Sequence, residues 1–202
     1  ITFGAHMGWA ELETVAAAAE RTALAAVRAD SEDAWAHHAL GSFYLITRCF
    51  DDSLAELETA LRLNPCFLQA QAYYATALGF CGRWQESLDA VSRALQLSPR
   101  DPASALYFGS ASLAHYVGGN YGEAARLARV ATRLRVDYAA AYRVLAAASG
   151  MLEDTQARAT AVEELRRAQP NISLAWIAGH VPFKQQADRD HYLEGFRRAG
   201  LA

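Results

Sequence analysis

Two prolines 34 residues apart close the same phrase: AELETALRLNP ends at Pro65 and DAVSRALQLSP at Pro99. In that register Leu40-Gly41, Tyr74-Ala75 and Phe108-Gly109 recur, as do Phe50 and Trp84, and Ala60 and Ala94. A fixed period of this length predicts a stack of copies, each touching only its neighbours. Each copy divides into two stretches of helical periodicity. AWAHHALGSFYLIT carries Trp35, His38 and Leu45 at helical spacing, and DDSLAELETALRL carries Leu54, Leu57 and Leu61. Proline cannot continue the helix before it, so Pro65 ends each pair and turns the chain.

The expected fold is therefore all-α, a single domain over residues 1–202. Its parts are an irregular leading unit at 1–33, repeats at 34–67, 68–101, 102–138 and 139–171, and a capping tail at 172–202. Asp51 is the expected N-cap of the second helix of the first repeat. Gly82 supplies the free torsions of the turn Cys81–Trp84, and Pro102 opens the third repeat. Pro99 and Pro170 lie 71 apart, or 34 + 34 + 3, and the extra three residues are expected in a lengthened turn at Val117–Asn120. GWAELE at 8–13 is expected as a loop or early second helix of the leading unit. In the tail, Pro182 breaks the chain between a helix starting at Ile172–Ile177 and a closing amphipathic helix at Asp188–Arg198. That last helix either caps the array, which needs a polar outer face, or lies in the groove until a partner displaces it.

The residues Leu40-Gly41-x-x-Tyr44, Ala60 and Pro65 resemble the tetratricopeptide repeat (TPR), itself 34 residues long. The resemblance covers nearly the whole chain. It implies antiparallel helix pairs stacked into a right-handed superhelix, an α-solenoid with a concave inner groove. Small residues suit that packing: Gly41, Ala75, Gly109 and Ala146 within pairs, and Ala60, Ala94 and Ala131 between units. The runs DAWAHHALGSFYL at 33–45, LSPRDP ending at Pro102, NISLAWI at 171–177 and PFKQQADRDHYLEGFRRAGL at 182–201 are similar to the C-terminal repeat region of bacterial class III adenylate/guanylate cyclase-like proteins. A comparable region occurs in some winged-helix transcriptional regulators. That likeness implies the regulatory, protein-binding part of a larger signalling protein. The chain begins at Ile1 rather than Met, which predicts a piece of a longer protein.

In repeats of this kind the first helix of each unit lines the groove. The expected partner-binding positions are Trp35, His38 and Ser42, then Gln69, Tyr73 and Thr76, then Leu106 and Ser110, and Arg143. Ala72, Ala103, Ala140 and Ala147 fill the same face. Such a surface is neutral and partly apolar. A clamp for a terminal carboxylate needs several charged donors, and only His38 and Arg143 are on offer, so an apolar or helical peptide fits better. The second expectation is self-association into a homo-oligomer.

Other chemistries fare poorly. A net charge of −3, from 19 basic and 22 acidic residues, provides no basic surplus for nucleic acid. No apolar run reaches the length of a membrane helix and no signal-peptide pattern opens the chain. Cys49, Cys66 and Cys81 are odd in number and lack ligand spacing, which predicts reduced thiols, a cytoplasmic setting and no metal. The acceptor pattern Asn171-Ile172-Ser173 carries no weight in that setting. His37-His38 point about 100° apart on a helix and cannot chelate one ion. The carboxylate pairs Glu11/Glu13, Asp51/Asp52 and Glu163/Glu164 fall on helix starts or solvated faces, where the helix dipole accounts for them. The glycines around Gly79–Gly82 and Gly118–Gly122 follow no strand and precede no Lys-Ser/Thr, so no phosphate loop is expected. Phe50, Trp84 and Tyr121 recur in repeat phase as core. No catalytic residue and no cofactor are expected.

Overall fold

The computed structural model of the protein describes residues 12–97, 104–152 and 154–202. The described residues form helices and short connections, with no strand among them. The helices are α1 (Leu12–Ala29), α2 (Ala34–Ile46), α3 (Phe50–Leu63), α4 (Leu68–Phe80), α5 (Trp84–Leu97), α6 (Ser104–Val117), α7 (Tyr121–Leu134), α8 (Ala139–Met151), α9 (Thr155–Ala168), α10 (Leu174–His180) and α11 (Gln186–Ala199). Glu11 and the first part of GWAELE, Ala103 and most of LSPRDP lie outside the described residues; Leu12 and Glu13 begin α1.

The pairs α2/α3, α4/α5, α6/α7 and α8/α9 stack in chain order, and first helices also touch first helices: α2 on α4, α4 on α6, α6 on α8. That contact pattern puts the first helices on the inner curve. Composition follows from it. A first helix is packed on several sides, and α6 buries ten of its 14 residues. A second helix is packed on one stripe, and α3 buries five of its 14: Phe50, Ser53, Leu54, Leu57 and Ala60. Full burial of each large apolar side chain such as Leu57 contributes about 1.5–3 kcal/mol.

Hydrogen bonds repeat with the sequence. Ser53 Oγ donates to the Gly41 carbonyl at 2.8 Å, and Ser87 Oγ, 34 residues on, donates to the Ala75 carbonyl at 2.7 Å. The third pair has Ala124 at the matching place, and Ser112 donates to the Gly109 carbonyl instead, at 2.7 Å. A Cβ on Gly41 would sit 2.7 Å from Leu57 Cγ, so α2 and α3 need the glycine to approach. At Gly109 the space belongs to the ring of Tyr138, the N-cap residue of α8, rather than to the paired helix.

Two local expectations need correction. Asp51 does not cap α3: the helix begins at Phe50, with Cys49 as a cap whose side chain makes no capping bond, and Asp51 sits in the first turn. The three extra residues do not lengthen a turn. α6 ends at Val117, three beyond position 114 where the phase of Phe80 (80 + 34) would end it, and its connection to α7 is residues 118–120, the same length as 47–49 and 81–83. Extending a helix pairs each added backbone group, whereas a longer loop leaves them to water. Tyr116, fully buried, lies in that added turn.

The tail does not stack beyond α9 as another unit. From Gln169 the chain crosses the inner face through α10 to the first full pair, α2/α3. Residues 181–185 pass the ends of α2 and α4, and α11 runs back to pack on α8. Ile172, Ile177, Val181, Phe183, Tyr192, Leu193, Phe196 and Leu201 join the main core. α11 therefore covers the last repeat as a cap does, but it does so from inside the curve.

Candidate partner-binding face

The floor of the face is made by α4, α6 and α8. Thr76 and Ser110, in repeat phase, share a hydroxyl hydrogen bond of 2.7 Å, and Ser110 reaches the Leu106 and Ala72 carbonyls at 2.9 and 3.0 Å. Ser42 is the third member of this row. Its Oγ is buried with no hydrogen-bond partner among the described residues. Leu106 and Ser110 are buried, Thr76 half-buried, and Ala147 is covered by α11.

Arg143 is buried at 6 % exposure. Its Nη1 donates to Gln169 Oε1 at 2.8 Å and its guanidinium lies 5.2 Å from the centre of the Trp176 ring. Burial lowers its pKa. Arg143 thus holds the tail onto α8 and is closed to a partner.

The roof is the tail. Trp176, His180, Val181, Pro182 and Tyr192 face Thr76, Phe80, Ser110, Tyr138 and Arg143 across a cleft of about 60 Å³. No carboxylate is among the described residues that line it. Among the described residues, no three His, Cys, Asp or Glu side chains are grouped to hold a metal.

The end of the face nearest α2 is different. Trp35 is 60 % exposed and lies on Phe67, ring centres 4.4 Å apart. Asp33 fixes this start of α2 by accepting from the Trp35 N–H at 2.8 Å. Below Trp35, the His38 ring meets Phe67 and Tyr73 edge-on at 5.1 and 5.0 Å. His38 and Tyr73 are each 6 % exposed, and His38 Nδ1 has no hydrogen-bond partner among the described residues. Burial lowers the His38 pKa to about 4, so the ring is neutral. Gln69 is half-buried at the start of α4. Of the nine expected positions, then, Trp35 is the open one. Gln69 and Thr76 are half-buried, and the other six are buried.

Sequence reasoning overlooked Arg48. It stands where the next two units have Gly82 (48 + 34) and Gly119 (82 + 34 + 3), and it adopts their left-handed backbone: φ is 66° against 79° and 78°. For a residue with a Cβ this costs about 1 kcal/mol. Its guanidinium reaches the tail, donating to the Gly179 carbonyl at 2.8 Å and approaching those of Ala178 and Val181 at 3.3 and 3.5 Å. These carbonyls end α10, where a cation is favoured. The signal available in the sequence was an arginine in a glycine's phase.

The architecture is that of an α-solenoid of the TPR type whose own C-terminal segment lies along its inner face. Among solved structures the chain is similar to MamA, with a TM-score of 0.53 and 19% identity over 74% of this chain and 84% of that one. It is also similar to a MamA RS-1 double mutant (0.57, 13%, 78% and 87%). A third likeness is to YrrB, a TPR protein with an unusual peptide-binding site (0.52, 15%, 88% and 90%). At these identities the likeness establishes the fold. No protein-family model and no curated protein matches the chain.

Proposed function

We propose that this protein is a non-catalytic scaffold that binds a peptide or partner protein on its inner face, as the regulatory part of a larger bacterial, cytoplasmic signalling protein. The exposed Trp35 on Phe67, at the open end of that face, carries the reading. A rigid, wet tryptophan backed by buried aromatic rings is the usual form of a binding hot spot. YrrB, of like fold, has a peptide-binding site, which supports a peptide as the ligand class here. The likeness of the sequence to the repeat region of cyclase-like proteins supports the signalling setting. Three free cysteines, two of them exposed, accord with a reducing compartment. No helix among the described residues is long and apolar enough to cross a membrane.

Immobilised protein should capture a partner that Trp35→Ala loses by at least about tenfold, about 1.4 kcal/mol, at unchanged thermal stability. Capture indifferent to Trp35→Ala would defeat the assignment of the binding surface. Arg143→Ala is unsuitable for this purpose, because removing a buried arginine disturbs folding as well as binding.

Self-association is the second reading. Leu97 and Leu134, equivalent under the repeat (97 + 34 + 3), are 56 % and 55 % exposed, and Val136 is 76 % exposed. Apolar side chains left wet at matching places mark a surface for another chain. Sedimentation should find a dimer that Leu134→Glu with Val136→Glu dissociates; a monomer at high concentration removes this reading.

A further inference from the structure

The two parts of the tail are held differently. α11 meets α8 backbone to backbone at Gly150, Gly195 and Ala147, buries Tyr192 and Phe196, and receives the Tyr116 O–H on the His191 carbonyl at 2.9 Å. The strap before it, residues 174–185, is looser. Gly179, His180, Lys184 and Gln185 are exposed, and a cleft of about 60 Å³ separates it from the floor at Thr76, Ser110 and Tyr138.

The strap's anchors are those a separate peptide could use. Arg48 holds three main-chain carbonyls, and the Phe80 carbonyl accepts the Lys184 N–H at 2.9 Å. Any chain offers those groups. Selection comes from three side chains. Trp176 lies on the Arg143 guanidinium, Phe183 meets Phe80 edge-on at 5.0 Å, and Lys184 Nζ donates to Asp51 at 2.6 Å.

We infer that residues 174–185 occupy, in cis, a seat built for a partner segment of the same chemistry: a short apolar helical turn bearing an aromatic residue, then an extended Pro-aromatic-Lys end. This rests on the reading of the inner face as a peptide site and names the class of peptide. An attached strap competes at high effective concentration, so the partner meets a seat that is mostly filled. Arg48 is the latch. A glycine there would fit the backbone without strain, and the arginine contributes the hold on the strap.

The probe is a labelled peptide of sequence Leu174–Gln185, added to the full chain and to Phe183→Ala, which loosens the strap and leaves every seat residue intact. The variant should bind the peptide at least tenfold more tightly than the parent, and its strap amides should exchange faster while those of α11 stay protected. Lys184→Ala, an exposed change that spares the core, should give a smaller gain of the same sign. Equal, weak binding by all three proteins, with strap and α11 exchanging together, overturns the inference and leaves capture through Trp35 untouched. A Phe183→Ala protein that sediments as a dimer has taken its seat's occupant from a second copy, which also overturns it.

Discussion

Gly150→Ala detaches the terminal helix. A Cβ on Gly150 would overlap the Gly195 carbonyl oxygen and lie 2.8 Å from Ala199 N, and one on Gly195 would lie 2.7 Å from the Ala147 carbonyl oxygen. Both helices touch through backbone at this crossing, so no rotamer relieves the clash and the axes must part. Within an isolated helix the change to alanine would stabilise by up to about 1 kcal/mol. Here overpacking outweighs that gain, with an expected net loss of about 3 kcal/mol. Denaturant unfolding measures the loss, and limited proteolysis should cut the variant first between residues 170 and 200. A variant as stable and as resistant as the parent would show that α11 does not cross α8 in this way. Gly179→Ala is the control, since a Cβ there meets nothing within 4 Å.

Acid should unfold the α2 end of the array through His38. An unfolded histidine takes up a proton near pH 6.5, and folded His38 resists it down to about 4. The unfolded state therefore binds the extra proton between those values. Stability is fully present above pH 6.5 and falls as the pH drops through this window, by about 3 kcal/mol at its acid end. The cause is burial among Trp35, Phe67 and Tyr73, where His38 Nδ1 finds no hydrogen-bond partner among the described residues. The adjacent His37 places its Nδ1 2.6 Å from Glu56 Oε2, an ion-pair geometry separate from the His38 cluster. The informative quantity is thus the difference from His38→Phe, which keeps a ring in the cluster and removes the proton site. Urea unfolding at pH 7 and pH 4.5 should give a much flatter dependence for the variant. Parallel curves for the two proteins would refute this role for His38.

The stacked pairs were legible because their cause is local and periodic. Ala34, Leu68 and Ala139 open first helices, and Phe50, Trp84 and Tyr121 open second ones, as the 34-residue phase requires. The phase places residues but does not tell a turn from an added helical turn, so Val117 was misread as loop. The open and closed parts of the inner face were not legible either. Helical position selected His38, Ser42, Tyr73, Leu106, Ser110 and Arg143 as facing inward. Whether such a face meets solvent or another segment depends on where the tail goes. That is decided by contacts such as Arg48 with Gly179, 131 residues apart, and Lys184 with Asp51, 133 apart. No period links those residues. The sequence held one hint, an arginine in the glycine's phase at 48, and it becomes meaningful only when the carbonyls in front of it are seen.

An ordinary repeat array is linear in its energetics: its ends fray first, and a unit can be lost or added without the others registering it. Here the final segment returns to the first full pair and is fastened there by Arg48 and Asp51. The chain is a loop rather than a line. The pairs α2/α3 and α8/α9 are thereby tied to each other, folding waits on contacts between residues 131 and 133 apart in sequence, and inserting one more pair in the middle would leave the strap too short to reach.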